Sequence, residues 1–287
     1  MSLPLDRQSI KAALTQAGIG SGDMVLVHSA LLSLGLPQEP LTDLNEYYVK
    51  VLQEVVGPSG TLIFPAFSYS FCKGQGFDPH STPSTVSGLA NYCLKHKLGY
   101  RTADPLFSYI VWGPAAINLP PMSNVCFDSH DSMYDFLVTH HAKYLMLGSG
   151  FFFTIWHAEE DRLHTPNRFY KGFSGSFRDH ESVEQRTAYF YCRYNTEHTM
   201  RDHAKLDAFI EEQIKKGICQ RVPVGKSSIL GCEVAAMCAA YREVLQRNPW
   251  ELLQGPALTR AQMEAQIPDN YHTQVERRLY PAIKLAV

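Results

Sequence analysis

His157, Glu159 and Glu160 are the residues of this 287-residue chain best suited to moving a proton. They close an apolar run in "FFFTIWHAEEDRL", residues 151–163. An imidazole titrates near neutrality, so it can take a proton from an amine or a hydroxyl. The free N–H groups at a helix start favour a developing oxyanion, but they depress the basicity of an unpaired imidazole. Glu159 or Glu160 counters that loss and orients the ring. A purely structural alternative is a histidine that closes a cluster of Phe152, Phe153 and Trp156. A third reading is a metal site, because His157, Glu160 and His164 are spaced to share one helix face. The pattern is not HExxH, however, and a zinc hydrolase needs three ligands and a general base. No metal is expected.

Two further stretches carry candidate groups. In "VHSALLSLG", His28 and Ser29 directly follow an apolar run, and the N–H groups of Ser29, Ala30 and Leu31 would open at its end. That is a cradle for phosphate or pyrophosphate, although His28 reads equally well as a satisfied strand-end histidine. In "FDPHSTPSTVSG", Asp78, Pro79, Thr82, Pro83 and Ser84 describe a rigid loop entering a helix, with Thr82 or Ser84 as its cap. The bland reading of that loop is an Asx turn and a cap. Two glycine clusters fail as nucleotide motifs. "LGSGFFFT" holds only GxG, and Gly225-Lys226-Ser227 lacks the upstream glycine of a P-loop.

The elements that must position these groups follow from periodicity. "DRQSIKAALTQAG" predicts a helix capped by Asp6 or Ser9 and ended at Gly18. "MVLV" and "TLIFPAF" are continuous apolar runs that fit buried strands, and the helix between them starts at Thr42 or Asp43 and ends at Gly57-Pro58-Ser59-Gly60. Strand, helix, strand predicts a parallel sheet. A helix over "VSGLANYCLKHKLG" follows, then a strand at 143–147 ending in Gly148-Ser149-Gly150. The carboxyl ends of parallel strands face the ligand crevice, which places His157 beside it. Residues 160–203, with alternating aromatics, arginines and glycines, predict antiparallel hairpins or an inserted loop. "MRDHAKLDAFIEEQIKKG" is a helix, and "CQRVPVGKSSILGCEVAAMC" gives a short strand, a turn and a helix. Residues 246–287 look peripheral. The expectation is one α/β domain with an embellishment.

The bulk numbers narrow the function. A hydrophobic fraction of 45% supports a sizeable core. The formal net charge of -2 and pI of about 6.6 argue against a nucleic-acid partner. Seven scattered cysteines without a CxxC pair fit reduced thiols in a cytoplasmic protein. No signal peptide and no membrane span is expected.

Six stretches, taken in order, resemble the aminoglycoside 3-N-acetyltransferase family, including its relatives that acylate nucleotide-linked amino sugars. They are "GDMVLVHSALLSLG", "VVGPSGTLIFPAFSYSF", "FDPHSTPSTVSGLANY", "RTADPLFSYIVWGPAA", "YLMLGSG" and "FTIWHAEE", and the resemblance spans roughly residues 5–245. It implies a three-layer α/β/α fold with a mostly parallel or mixed central sheet. It implies acetyl-CoA or another acyl-CoA as donor and a primary amine as acceptor, and it allows a homodimer. The family's active-site histidine matches His157 and its glutamate best matches Glu160, with Glu159 also on offer. Its FDP…TPS loop matches Phe77, Asp78, Pro79, Thr82, Pro83 and Ser84, which adds Asp78 to the catalytic set and Thr82 and Ser84 to the CoA-binding set. Its CoA-binding turn matches His28, Ser29, Ala30 and Leu31.

The implied chemistry is thioester aminolysis. An amine is protonated at neutral pH, so His157 would act as general base and the freed amine would attack the thioester directly. Base catalysis of this kind is worth roughly 10²–10⁴-fold. A donor to the oxyanion adds about 3 kcal/mol, with Ser29 and Thr154 as weak candidates. For the acceptor, Arg168, Lys171, Arg178, Arg186 and Arg193 lie among aromatics between 163 and 203. Such a region suits a base, a sugar and a diphosphate, which favours a nucleotide-linked amino sugar. The alternative is an aminoglycoside antibiotic, a polycation that calls for an acidic pocket. A reading of another class is a non-catalytic sugar-binding or scaffold protein on the same fold, with His157 closed off against Phe152.

Overall fold

The computed structural model describes residues 5–119, 122–128 and 131–266. Helix α1 (Arg7–Gln16) starts where the Asp6 carboxylate accepts the Ser9 N–H at 2.7 Å. Strand β1 (Met24–Ser29) is followed by the single turn α2 (Leu31–Leu34) and then by α3 (Leu44–Val56), capped by Asp43. Gly57, at φ +66°, ends α3 in a conformation that costs a side chain energy. Strand β2 (Thr61–Pro65) is buried along its whole length. Helix α4 (Gly88–Lys95) is capped by Ser87, which accepts the Ala90 N–H, and not by Thr82 or Ser84. Two short strands come next, β3 (Tyr100–Arg101) and β4 (Tyr109–Trp112). Helix α5 (Met133–Thr139), strand β5 (Lys143–Leu147) and helix α6 (Trp156–Arg162) lead to a long hairpin, β6 (Arg168–Asp179) and β7 (Ser182–Arg193). The chain continues through α7 (His203–Lys215), β8 (Cys219–Val224), β9 (Ser227–Glu233), α8 (Val234–Arg247) and α9 (Arg260–Glu264).

Seven strands form one mixed sheet in the order β3-β4-β2-β1-β5-β9-β8. The parallel expectation holds only at its centre, where β1 pairs with β2 and with β5. Strand β4 pairs antiparallel with β2, and β9 with both β5 and β8. The reason at the β8 edge is local. Gly225 and Lys226 are all that joins β8 to β9, and two residues can make a hairpin but not a crossover. The glycine-lysine-serine stretch is therefore a hairpin turn, with Gly225 at φ +56°.

Side-chain alternation divides the core in two. Val25, Val27, Leu62, Phe64, Leu145 and Leu147 face α1 and α3 across one surface of the sheet. Leu26, Ile63, Tyr144 and Met146 face the layer of α5, α6, α7 and α8 across the other. The result is a three-layer α/β/α arrangement, and His28 shares the face of Leu26, towards α6. The hairpin β6–β7 forms its own two-stranded sheet. At its base, Phe169 and Tyr194 pack with Trp250, Leu253 and Met263. The segment after Arg247 is therefore anchored through Met263, and the part of the expected peripheral tail beyond 266 lies outside the described residues. No described helix is long and apolar enough to cross a membrane.

Candidate active site

The apolar run before His157 is an anchor. After β5 the chain turns at Gly148 (φ +68°) and lays Phe153 flat against Tyr144, with ring centroids 4.1 Å apart. Trp156 stacks on Tyr241 of α8 at 4.0 Å. Buried aromatic faces of this kind fix the first turn of α6 from two sides. Phe152 is 64% exposed and takes no part in closing off the histidine. The imidazole instead meets the edges of Phe127 and Phe190, at 5.4 and 5.2 Å, and keeps a quarter of its side-chain surface accessible.

The three acids of α6 point to three different partners. Glu159 is fully buried and receives two bonds of 2.7 Å from the Arg242 guanidinium and one from the Tyr134 hydroxyl. Asp161 accepts the Tyr170 hydroxyl. Glu160 turns to His157, whose Nδ1 lies 2.6 Å from Oε2. The same Oε2 is 2.8 Å from an Arg168 nitrogen. Oε1 accepts from Arg201 at 2.6 Å and from the Tyr241 hydroxyl at 2.8 Å. Glu160, and not Glu159, is thus the histidine's partner. His164 does not share the helix face, because α6 ends at Arg162 and His164 adopts φ +48° beyond it.

The electrostatics follow from this arrangement. Burial alone would raise the Glu160 pKa, but Arg168, Arg201 and His157 outweigh it and hold the carboxyl well below the usual range. Burial also pushes the His157 imidazole below its usual value of 6.5, Arg168 pushes the same way, and Glu160 only partly restores it. An ionised carboxylate can only accept, so Nδ1 of a neutral His157 carries the proton. The lone pair is then on Nε2, for which no described residue supplies a partner.

The strand-end turn differs from its sequence reading. The Ala30 N–H is already bonded to the Leu147 carbonyl at 2.8 Å, so the backbone between Ser29 and Leu31 is not a row of free donors. No side chain caps α2. His28 stacks on Tyr144 at 5.1 Å, and burial pushes its pKa down to about 3. It is a neutral imidazole and supplies no charge to a pyrophosphate. Its Nε2 and the Ser149 hydroxyl are buried without a partner. Orphaned buried polar atoms at the ends of β1 and β5 suit a polar ligand laid across them, as acetyl-CoA requires.

The loop after β2 is held from within. The Asp78 carboxylate accepts the His80 N–H, and the Thr82 hydroxyl accepts the Asp78 N–H. The Ser84 hydroxyl receives the N–H groups of Val86 and Ser87. Buried Arg101 ties the loop to the sheet through the Thr82 and Ala66 carbonyls and lies over the Phe77 ring at 5.0 Å. Among the described residues, no hydrogen bond or ion pair joins Asp78 to His157 or Glu160. Both hydroxyls offered to CoA are engaged inside the loop. In Asp78→Ala the Asx turn loses its acceptor, and urea denaturation is expected to show a loss of about 1 kcal/mol. A stability equal to the parent's would show that the turn does not depend on this carboxylate.

Arg168 was expected to face a ligand phosphate. It is buried, and it holds Glu160 and the Tyr191 carbonyl instead. Arg186 is paired with Glu184 and lies over the Phe177 ring at 3.6 Å. Arg201, Tyr241, Phe127 and Phe190 are site residues that sequence reasoning missed. Arg201 and Tyr241 are 41 and 81 positions from Glu160, beyond any local pattern. Burial raises the thiols of Cys126 and Cys192 above their usual pKa, which disfavours the thiolate at both.

The family model for aminoglycoside 3-N-acetyltransferase matches residues 26–246. The fold matches the aminoglycoside acetyltransferase AAC-IIIb in its binary complex with CoASH, at 18% identity and a TM-score of 0.72, covering 89% of this chain and 100% of that one. It matches AAC-VIa bound to sisomicin at 20% identity and 0.72, covering 85% and 98%. It also matches the YokD protein of Bacillus subtilis at 16% identity and 0.69, covering 87% and 96%. The chain therefore belongs to the aminoglycoside 3-N-acetyltransferase family and is an acetyltransferase.

Proposed function

We propose that this enzyme acetylates a primary amine of an aminoglycoside, with His157 as general base and Glu160 as the group that orients it. The observation that carries the reading is the pairing of Nδ1 with a saturated, ionised Glu160 while Nε2 is left for the acceptor. In the reaction the amine gives its proton to Nε2, its nitrogen forms the C–N bond, the C–S bond breaks, and the imidazolium passes that proton to the departing thiolate, so CoA leaves as the thiol and His157 is neutral again. Asp78 acts at one remove, through the loop it closes. Family membership supports the aminoglycoside acceptor, as does a relative of the same fold bound to sisomicin. The engagement of Arg168 with Glu160 also removes one of the cations that argued for a diphosphate.

A second acceptor, a nucleotide-linked amino sugar, draws on one observation. Arg186 lines a cavity of about 330 Å³ with Asp104, Ser123 and Asn124. The test is release of free thiol from acetyl-CoA against sisomicin, gentamicin and a set of nucleotide-linked amino sugars. Aminoglycosides are expected to give the higher kcat/KM. A preference for the nucleotide sugars would overturn the acceptor assignment, and thiol release with neither class would overturn both.

A further inference from the structure

Away from the candidate active site, three metal-ligating side chains from two segments meet at the tip of the hairpin. His80 comes from the loop that follows Phe77, and Asp179 and His180 come from the turn between β6 and β7. One ligand atom of each lies within 4.8 Å of the others. His80 Nε2 is 3.6 Å from Asp179 Oδ1, and His180 Nε2 is 3.8 Å from the same oxygen. The imidazole rings lie side by side, with centroids 4.6 Å apart and planes 33° from parallel. Among the described residues this is the one cluster of histidine, cysteine and acidic groups with such convergence.

The backbone brings the two segments together independently of these side chains. The Phe77 N–H donates to the Ser176 carbonyl at 2.9 Å, and the Arg178 N–H donates to the Phe77 carbonyl at 2.8 Å. The β6–β7 connection is a two-residue turn with His180 at φ +52°. Glycine and asparagine are the low-cost residues at such a position, and this chain places an imidazole there. The cluster lies on the wall of a cleft of about 540 Å³ that Tyr100 and Lys97 also line.

We propose that His80, Asp179 and His180 form a binding site for one divalent transition-metal ion, Zn²⁺ or Ni²⁺, which clips the hairpin tip to the loop carrying Asp78. Two imidazoles and a carboxylate are a ligand set for these ions, with water completing the shell. Metal–ligand distances of about 2.0–2.2 Å in a tetrahedral shell put neighbouring ligand atoms roughly 3.3–3.5 Å apart. The observed separations therefore need only a small inward rotation. All three side chains are more than half exposed and free to make it. The clip joins points about a hundred positions apart in sequence, the arrangement in which a cross-link restricts the unfolded chain most.

Isothermal titration of the untagged full chain with ZnCl₂ is expected to show one saturable site. His80→Ala and His180→Ala should each weaken it at least ~10-fold, since loss of a direct ligand exceeds the ~10–100-fold effects of outer partners. His96→Ala, which removes an exposed histidine elsewhere, should leave it unchanged. Asp179→Asn keeps the turn's shape and should weaken uptake as well. Absence of saturable uptake, or uptake that survives the His80→Ala/His180→Ala double variant, would overturn the proposal. Far-UV circular dichroism of each variant separates loss of a ligand from loss of fold.

Discussion

In His157→Ala, turnover with acetyl-CoA and amine is expected to fall at least ~100-fold while CoA binding stays close to that of the parent. The asymmetry follows from position. Among the described residues of the site, His157 alone has an accessible nitrogen lone pair on a ring whose other nitrogen is fixed. The orphaned polar atoms that suit the cosubstrate, on His28 and Ser149, lie outside α6 and are untouched by the change. The pH profile is a second check. A general base works only when neutral, so activity is lost as pH falls through its pKa. Burial, Arg168 and Arg201 lower that pKa from 6.5, so the acid limb of kcat/KM is expected below 6.5. Unchanged turnover in His157→Ala, or an acid limb above 6.5, would remove His157 as the base.

The parts of this molecule that were legible in sequence are those carried by local pattern. The runs "MVLV", "TLIFP" and "KYLML" became the three central strands because a strand buried on both faces is apolar along nearly its whole length, with Thr61 and Lys143 only at strand starts. His157 and Glu160 paired because positions three apart on a helix are neighbours. Strands β3 and β4 escaped notice, being two and four residues long. Strand β9 was absorbed into a turn because "SSILGCE" opens on serines and carries a glycine. Gly231 is there because a Cβ would meet the Ala17 carbonyl oxygen at 2.1 Å, a requirement set by α1 and invisible along the strand. The cations of the hairpin misled for a related reason. A count of arginines says nothing of their partners, and Arg168 turned inward to a carboxylate eight positions before it.

That inward turn sets the second large expectation. Glu160→Gln should cost stability and rate together, and for separable reasons. The carboxylate is buried among four donors, two of them arginines. An amide in its place takes the Glu160 charge away from buried Arg168, and breaking a buried pair costs about 3–5 kcal/mol. The rate falls because the His157 tautomer is no longer fixed and the imidazolium that forms is no longer stabilised. A loss on the order of 10²–10⁴-fold is expected. Glu160 raises the His157 pKa, so its loss should also move the acid limb of kcat/KM to lower pH. Glu159→Gln is the control, because Glu159 is as deeply buried and is paired with Arg242, yet does not touch His157. It should lose stability while keeping the parent's pH profile. The stability of the parent carries the same signature. The folded-state pKa of Glu160 is depressed, so its contribution is present above the unfolded carboxyl value of about 4.5 and drains away as pH falls towards the folded one. Urea unfolding between pH 7 and pH 3 should therefore show a shallower acid loss in Glu160→Gln than in the parent. Equal slopes together with an unmoved kinetic limb would mean that the two arginines, and not the carboxylate, set the state of His157.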